Sequence, residues 1–108
     1  MIATTIEQSK ALLKAGLSKE SADCHWHFPV CKREDGSYTI YPEPDLYVGW
    51  VFSPDDIPAW SMSKLWEIVF SNCGDKIYEF STELSPVELM LSLFDTVLGM
   101  ANRKEVKQ

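Results

Sequence analysis

Apolar residues near the N-terminus recur at helical spacing and predict a first helix. The stripe, which includes one small polar residue, consists of Ile6, Ser9, Leu12 and Leu13. Thr4 and Glu7 have the capping-box spacing, in which each side chain satisfies a free N–H of the first turn. Gly16 suits the position after the helix, where a positive φ is favourable without a Cβ, and Leu17 then folds back. We expect this helix to start at Thr4 and to end before Gly16.

The spacing then changes to alternation, which is typical of a half-buried strand. Apolar and polar side chains alternate in the order Cys24, His25, Trp26, His27, Phe28. Pro29 lacks a backbone donor, so it ends this strand or places it at a sheet edge. The Asp35-Gly36 pair predicts a hairpin turn, with a return strand over 38–41 and a further short strand over 46–52.

A proline-rich segment after these strands predicts a single helical turn. Ser53 is a candidate cap, Pro54 suits the first helical position, and the acidic pair Asp55 and Asp56 favours a helix N-terminus. Pro58 is expected to stop the turn because proline cannot continue the helical hydrogen bonds.

A second helix is predicted after this segment. Ser61 or Ser63 caps it and Gly74 closes it. Its apolar residues are Leu65, Trp66, Ile68, Val69 and Phe70. A last strand over 77–81 follows.

The last helix has the clearest start in the chain. Ser85, Pro86 and Glu88 supply an N-cap, a first-turn proline and an acidic third residue, and the helix is expected to run to about Asn102. Apolar residues cover most of its circumference: Val87, Leu89, Met90, Leu91, Leu93, Phe94, Val97, Leu98, Met100 and Ala101. Since a surface helix usually has one apolar stripe, this helix is either central to the core or shared with a partner.

The order of these elements predicts an α+β fold, with a small, mostly antiparallel sheet of three to four strands packed with three helices. The length of 108 residues suits one domain. We assign that domain to residues 1–102 and expect a frayed C-terminal tail over 103–108.

Charge disfavours nucleic acid as a partner. The chain has a formal net charge of -6, with 10 Lys and Arg against 16 Asp and Glu. Residues 23–59 hold two basic and seven acidic groups, a balance of -5, and also hold most of the aromatic residues. A surface that neutralises phosphates needs the opposite sign.

Membrane and secretion signals are not expected either. No run approaches the roughly 18 apolar residues that span a bilayer, and the N-terminus lacks a secretory pattern. The three cysteines cannot all pair within one chain, which favours free thiols in a reducing cytoplasm.

Four potential ligands lie close together in sequence: Cys24, His25, His27 and Cys31. Alternation places Cys24 on the opposite face from the two histidines, and adjacent residues such as Cys24 and His25 point apart. A structural zinc site needs four convergent ligands, and a catalytic thiol needs an oriented base. These residues are therefore weak candidates, and we expect no metal and no cofactor. A small enzyme or metal-binding protein that uses this region is the alternative.

The acidic residues of the middle segment offer weaker chemistry. Glu43 and Asp45 are expected on an exposed loop, and Asp55 and Asp56 at a helix start. A ligand pocket beneath the aromatic loop 42–60 is a third possibility.

The leading interpretation is therefore a cytoplasmic protein–protein interaction module, more consistent with binding than with catalysis. We expect a homodimer or a complex with another protein, formed through the last helix and nearby aromatic side chains. The residues predicted for this surface are Trp60, Trp66, Phe70, Met90, Phe94 and Val97.

Three segments also resemble small uncharacterised proteins of Bacteroides and related bacteria, their phages and mobile elements. They are 5–23, the block Ile57-Pro58-Ala59-Trp60-Ser61-Met62-Ser63-Lys64-Leu65, and the helix start Ser85-Pro86-Val87-Glu88. The family more often has Asn-Pro at that last helix start. The resemblance implies a shared fold and a phage or mobile-element setting, and it implies no activity, cofactor or catalytic residue.

Overall fold

A computed structural model describes residues 2–40, 43–49, 55–72 and 84–107. Over these residues the chain forms three α-helices, one 3₁₀ turn and five β-strands. In chain order they are α1 (Ile6–Lys14), the 3₁₀ turn (Lys19–Ser21), β1 (Cys24–His27), β2 (Val30–Lys32), β3 (Tyr38–Ile40), β4 (Asp45–Val48), β5 (Ile57–Ala59), α2 (Met62–Asn72) and α3 (Pro86–Asn102). The fold is therefore α+β, as predicted.

The first helix is capped one residue later than predicted. Thr5 is the N-cap, and its side chain accepts from the backbone N–H of Gln8, whose own side chain accepts from the N–H of Thr5. Thr4 is fully buried instead. Its Oγ1 accepts a hydrogen bond from the backbone N–H of Trp60 at 3.0 Å. A tertiary contact therefore displaces Thr4 from the capping position.

The end of α1 follows the prediction. Gly16 has a φ of 104°, and its N–H donates to the carbonyl of Leu13. The N–H of Leu17 donates to the carbonyl of Leu12, and the Leu17 side chain is buried. These two bonds form a Schellman motif, which satisfies carbonyls at the helix end.

The strands form two antiparallel sheets rather than one. Strand β1 lies at the centre of a three-stranded sheet between β4 and β5. Its register places Trp26 opposite Leu46 on β4 and Ile57 on β5. Strands β2 and β3 pair with each other as a separate hairpin, whose turn includes Gly36.

The segment before α2 contains a strand that the sequence analysis does not predict. Ile57–Ala59 forms strand β5 with Pro58 inside it, so Pro58 does not stop a helix. Proline is tolerated there because β5 is an edge strand. Residues 50–54, which include the predicted cap and first proline, lie outside the described residues.

The core lies where α1, α2 and α3 meet the end of β5. Its buried residues are Leu12, Leu17, Ala22, Trp60, Leu65, Ile68, Val69, Met90, Leu93, Val97, Met100 and Ala101. Asp23 connects the sheet to α2, because its carboxylate accepts from both the backbone N–H and the hydroxyl of Ser61. Ser61 in turn caps α2 by accepting from the N–H of Lys64, which decides between the two predicted caps.

The last helix begins and ends where the sequence predicts. Ser85 accepts from the N–H of Glu88, and the helix extends to Asn102. Beyond it the chain turns back, so that Val106 packs against the core and the N–H of Lys107 donates to Asn72. Within the predicted tail over 103–108, these two residues therefore contact the core and α2.

Some predictions fall outside the described residues. These are the strand over 77–81, the helix-closing Gly74, and the extensions of the strands to 41 and over 50–52. In the parts of the chain that are described, every helix is too short or too polar to cross a bilayer.

Candidate functional site: a His–Asp–His cluster beside an apolar cavity

The two faces of strand β1 carry different kinds of side chain. Cys24 is buried on the core face, and the indole Nε1 of Trp26 donates to the backbone oxygen of Thr4 at 2.9 Å. His25 and His27 lie on the outer face, because successive side chains of a strand alternate. The predicted separation of Cys24 from the two histidines is confirmed.

The environment of Cys24 makes its thiol unreactive. Burial, together with the nearby carboxylate of Asp23, raises the pKa of Cys24 to about 11. Both effects disfavour the thiolate, which is the nucleophilic and metal-binding form. Cys24 is therefore a packing residue of the core face.

Asp56 lies against both histidines. The β1–β5 pairing places Trp26 opposite Ile57, so the same register continues to His27 and Asp56. Nδ1 of His27 lies 2.8 Å from Oδ1 of Asp56, and Nε2 of His25 lies 3.7 Å from Oδ2. The Asp56 side chain is only 4% exposed. A buried carboxylate needs such partners because its charge is costly to remove from water.

His25 is held from two further directions. Its Nδ1 lies 2.9 Å from the carbonyl oxygen of Gly49, which can only accept, so Nδ1 carries the proton. Its ring stacks on Tyr47 with centroids 5.8 Å apart. These contacts fix the His25 ring in place beside Asp56.

His27 is the more accessible of the two histidines. Its side chain is 37% exposed, and Tyr47 contacts its ring edge-on with centroids 5.6 Å apart. The carboxylate of Asp56 accepts from Nδ1, which fixes the tautomer and the ring orientation. In the neutral ring, Nε2 then carries the lone pair.

A cavity of about 300 Å³ lies beside this cluster. It is lined by His27, Phe28, Val30, Ile40, Asp55 and Asp56. Val30 and Ile40 face each other across the β2–β3 hairpin and supply an apolar wall. The site therefore combines an apolar surface with one oriented imidazole, as small-molecule sites commonly do.

The second predicted cysteine lies apart from this cluster. Cys31 is exposed on β2, where its Sγ lies 3.7 Å from the carbonyl oxygen of Lys32. Because the neighbouring Val30 lines the cavity, alternation turns Cys31 to the other face of the hairpin. Among the residues that the structure describes, no group of three or more His, Cys, Asp or Glu side chains is arranged to hold a metal ion.

Sequence reasoning missed Asp56 as a site residue. It treated Asp56 as part of a helix start, whereas the residue directly precedes an edge strand. A strand prediction for 57–59, paired antiparallel with β1, would have placed Asp56 opposite His27. The missing information was the register between segments that are far apart in sequence.

The predicted interaction residues divide between the core and the surface. The set comprises Trp60, Trp66, Phe70, Met90, Phe94 and Val97. Trp60, Met90 and Val97 are buried in the chain's own core, where they fill the space between the helices. Trp66 stacks on Phe70 with centroids 5.0 Å apart, and Phe70 remains 65% exposed. The three buried side chains are therefore core residues rather than surface anchors.

No protein-family model, curated protein or solved structure matches the chain. The resemblance to Bacteroides and phage proteins therefore stays a prediction, and function has to be argued from the geometry of the site.

Proposed function

We propose that this protein binds a small, largely apolar ligand in the cavity beside His27 and Asp56. The observation that carries the proposal is the buried Asp56 carboxylate, which orients an accessible imidazole at the wall of that cavity. Buried, side-chain-paired ionisable groups in a concave apolar surface are a general mark of binding sites.

The apolar wall supports the proposal on energetic grounds. Val30 is 55% exposed and Ile40 is 60% exposed, although both lie on a hairpin that makes little contact with other helices and strands. Covering apolar surface gains about 25 cal/mol per Å². A ligand seated between the hairpin and His27 would bury these side chains, which the chain itself leaves in water.

The experiment is an NMR titration of the protein, labelled at its Ile and Val methyl groups, with p-xylene. We expect saturable shifts at Val30 and Ile40 and at the His27 ring, with a Kd of about 1 mM or tighter. Ile40→Asp should abolish these shifts. Val48→Asp is the matched control, because Val48 is also largely exposed but lies on β4, and it should leave them intact. Shifts spread evenly over Val48 and Val87 would contradict a defined site.

Self-association through α3 is a second candidate, which a separate observation favours. Besides its buried face, α3 carries another apolar stripe formed by Val87, Leu91, Phe94 and Leu98. Val87 is 65% exposed and Leu91 is 48% exposed, whereas Phe94 and Leu98 are half-buried. Spacings of four, three and four residues suit helix–helix packing against a second copy of the chain.

Sedimentation velocity tests this second candidate. We expect a dimer at tens of micromolar that Leu91→Glu converts to a monomer. Ser92→Glu, which adds the same charge next to the stripe, should leave the dimer intact. A wild-type protein that stays monomeric at several hundred micromolar would remove the candidate.

We also propose a cytoplasmic location. The support is chemical, because Cys24 and Cys31 are both free thiols, and free thiols persist in reducing compartments.

A further inference from the structure

We infer that the ligand of this cavity carries an O–H or N–H donor on its apolar body, and that Nε2 of His27 accepts this donor. The inference rests on the proposed cavity binding and adds the chemical class of the ligand. Phenols and aromatic amines are the simplest members of this class.

The first argument is the tautomer of His27. A carboxylate only accepts hydrogen bonds, so the 2.8 Å contact to Asp56 requires the proton on Nδ1 of His27. A neutral imidazole has one donor and one acceptor, which leaves Nε2 as the acceptor. Because the His27 ring lines the cavity, a bound ligand would contact the ring that carries this acceptor.

The second argument is the chemistry of the remaining lining. Of the described lining residues besides His27, Phe28, Val30 and Ile40 have no polar side-chain atoms, and Asp55 and Asp56 are acidic. Asp45 on β4 pairs with His27, and β4 lies on the side of β1 away from β5. Among the described residues, the polar side chains that line the cavity beside His27 therefore offer acceptors and negative charge. A donor on the ligand is matched by these groups, and an anionic ligand is repelled by them.

The third argument is size. A dry cavity of about 150 Å³ is enough to hold benzene. The cavity beside His27, at about 300 Å³, accommodates one substituted aromatic ring. A ring seated against Val30 and Ile40 brings one substituent within reach of His27, so a single donor group suffices for recognition.

The test compares p-cresol with p-xylene, which have nearly the same shape and differ in one hydroxyl group. Each is titrated into the wild-type protein and into His27→Phe, and the ratio of the two Kd values is taken for each protein. Comparing this ratio between the two proteins cancels the greater hydrophobicity of p-xylene. We expect the preference for p-cresol to be roughly 3- to 10-fold greater in the wild type, as for one neutral hydrogen bond. We expect 4-methylbenzoate to bind weakest.

A second readout needs no variant. Long-range ¹H–¹⁵N correlation spectra at pH 8 distinguish the two neutral tautomers of His27, and we expect the Nδ1–H form. The Nε2–H form would overturn the inference, as would an unchanged Kd ratio in His27→Phe or tighter binding of 4-methylbenzoate than of p-cresol. If p-xylene and p-cresol both fail to bind, the cavity proposal itself falls. If both bind with equal ratios, the cavity proposal survives and only the donor assignment is lost.

Discussion

The core junction and the wall of the cavity use similar residues in different ways. At the junction, where α1, α2 and α3 meet β5, Trp60 and Leu65 are fully buried by the chain itself. On the cavity wall, Val30 and Ile40 are just as apolar but remain largely in water. Residue type is therefore a poor guide to role. The junction supplies stability, and the cavity wall leaves apolar surface exposed that the proposed ligand would cover.

The two regions also use aspartate differently. Asp23 accepts from the backbone and hydroxyl of Ser61, and thereby holds the start of α2 against β1. Asp56 contacts the imidazoles of His25 and His27, which are side chains that bind protons and ligands. One carboxylate stabilises a chain connection, and the other orients a chemical group. The partner atoms reveal this difference, and the burial of each aspartate alone does not.

The largest expected effect tests where the stability resides. Trp60→Ala should lower the free energy of unfolding by about 3–5 kcal/mol, because it opens a cavity in the core and removes the indole hydrogen bond to Ser21. Phe70→Ala, at an exposed aromatic residue, should cost about 1 kcal/mol or less. Urea denaturation measures both. Equal losses would mean that the exposed Phe70 ring contributes as much to the cooperative core as Trp60 does.

The next effect tests the structural aspartate. Asp23→Ala should cost about 1–3 kcal/mol, since it leaves the N–H of Ser61 without its acceptor in a partly buried position. Asp45→Ala is the control, because Asp45 is exposed on β4, and should change stability by about 0.5 kcal/mol or less. A comparable loss from the control would argue that general charge balance, rather than the Ser61 contact, sets the effect.

A smaller effect compares two glycines with positive φ. Gly16 (φ 104°) ends α1 at the junction, and Gly36 (φ 88°) lies in the hairpin turn. Gly16→Ala should lower global stability by about 1–2 kcal/mol through backbone strain. Gly36→Ala should change the free energy of unfolding by about 0.5 kcal/mol or less, because the β2–β3 hairpin can open without unfolding the core. Native-state hydrogen exchange should instead show faster exchange at the Arg33 amide, which donates across that turn.

The last effect on stability appears only at alkaline pH and concerns the buried thiol of Cys24. The pKa of Cys24 is raised from 9.0 to about 11, so the unfolded thiol ionises first as pH rises. The contribution of Cys24 to stability is complete below about pH 9 and is lost as pH rises to 11. Cys24→Ala should therefore show a shallower decline across this window than the wild type. Denaturation at pH 8, 9.5 and 11 measures this difference.

Alkylation at pH 8 distinguishes the buried thiol of Cys24 from the exposed thiol of Cys31. Iodoacetamide followed by peptide mass spectrometry should label the exposed Cys31 rapidly and Cys24 only on unfolding. Labelling of Cys24 at a similar rate would show that the core face of β1 is open to solvent.

The predictions that agree with the structure rest on residues that are close together in the sequence. The glycine that ends α1 and the Ser85-Pro86 start of α3 depend on atoms within one or two helical turns. Alternation in β1 likewise follows from backbone geometry, so the sequence alone places Cys24 and His27 on opposite faces of the strand. The cap of α1 failed by one residue because Thr4 is needed by Trp60, which lies 56 residues away.

The sequence by itself therefore determined the helices with strong caps, the α+β class, and the two faces of β1. Only the tertiary structure decided that Pro58 lies in a strand, that Met90 belongs to the core, and that Asp56 orients His27. The physical reason is the range of the interactions. Caps and alternation are local, whereas a partner across a sheet is set by register, and a shift of one residue would turn Asp56 to the opposite face.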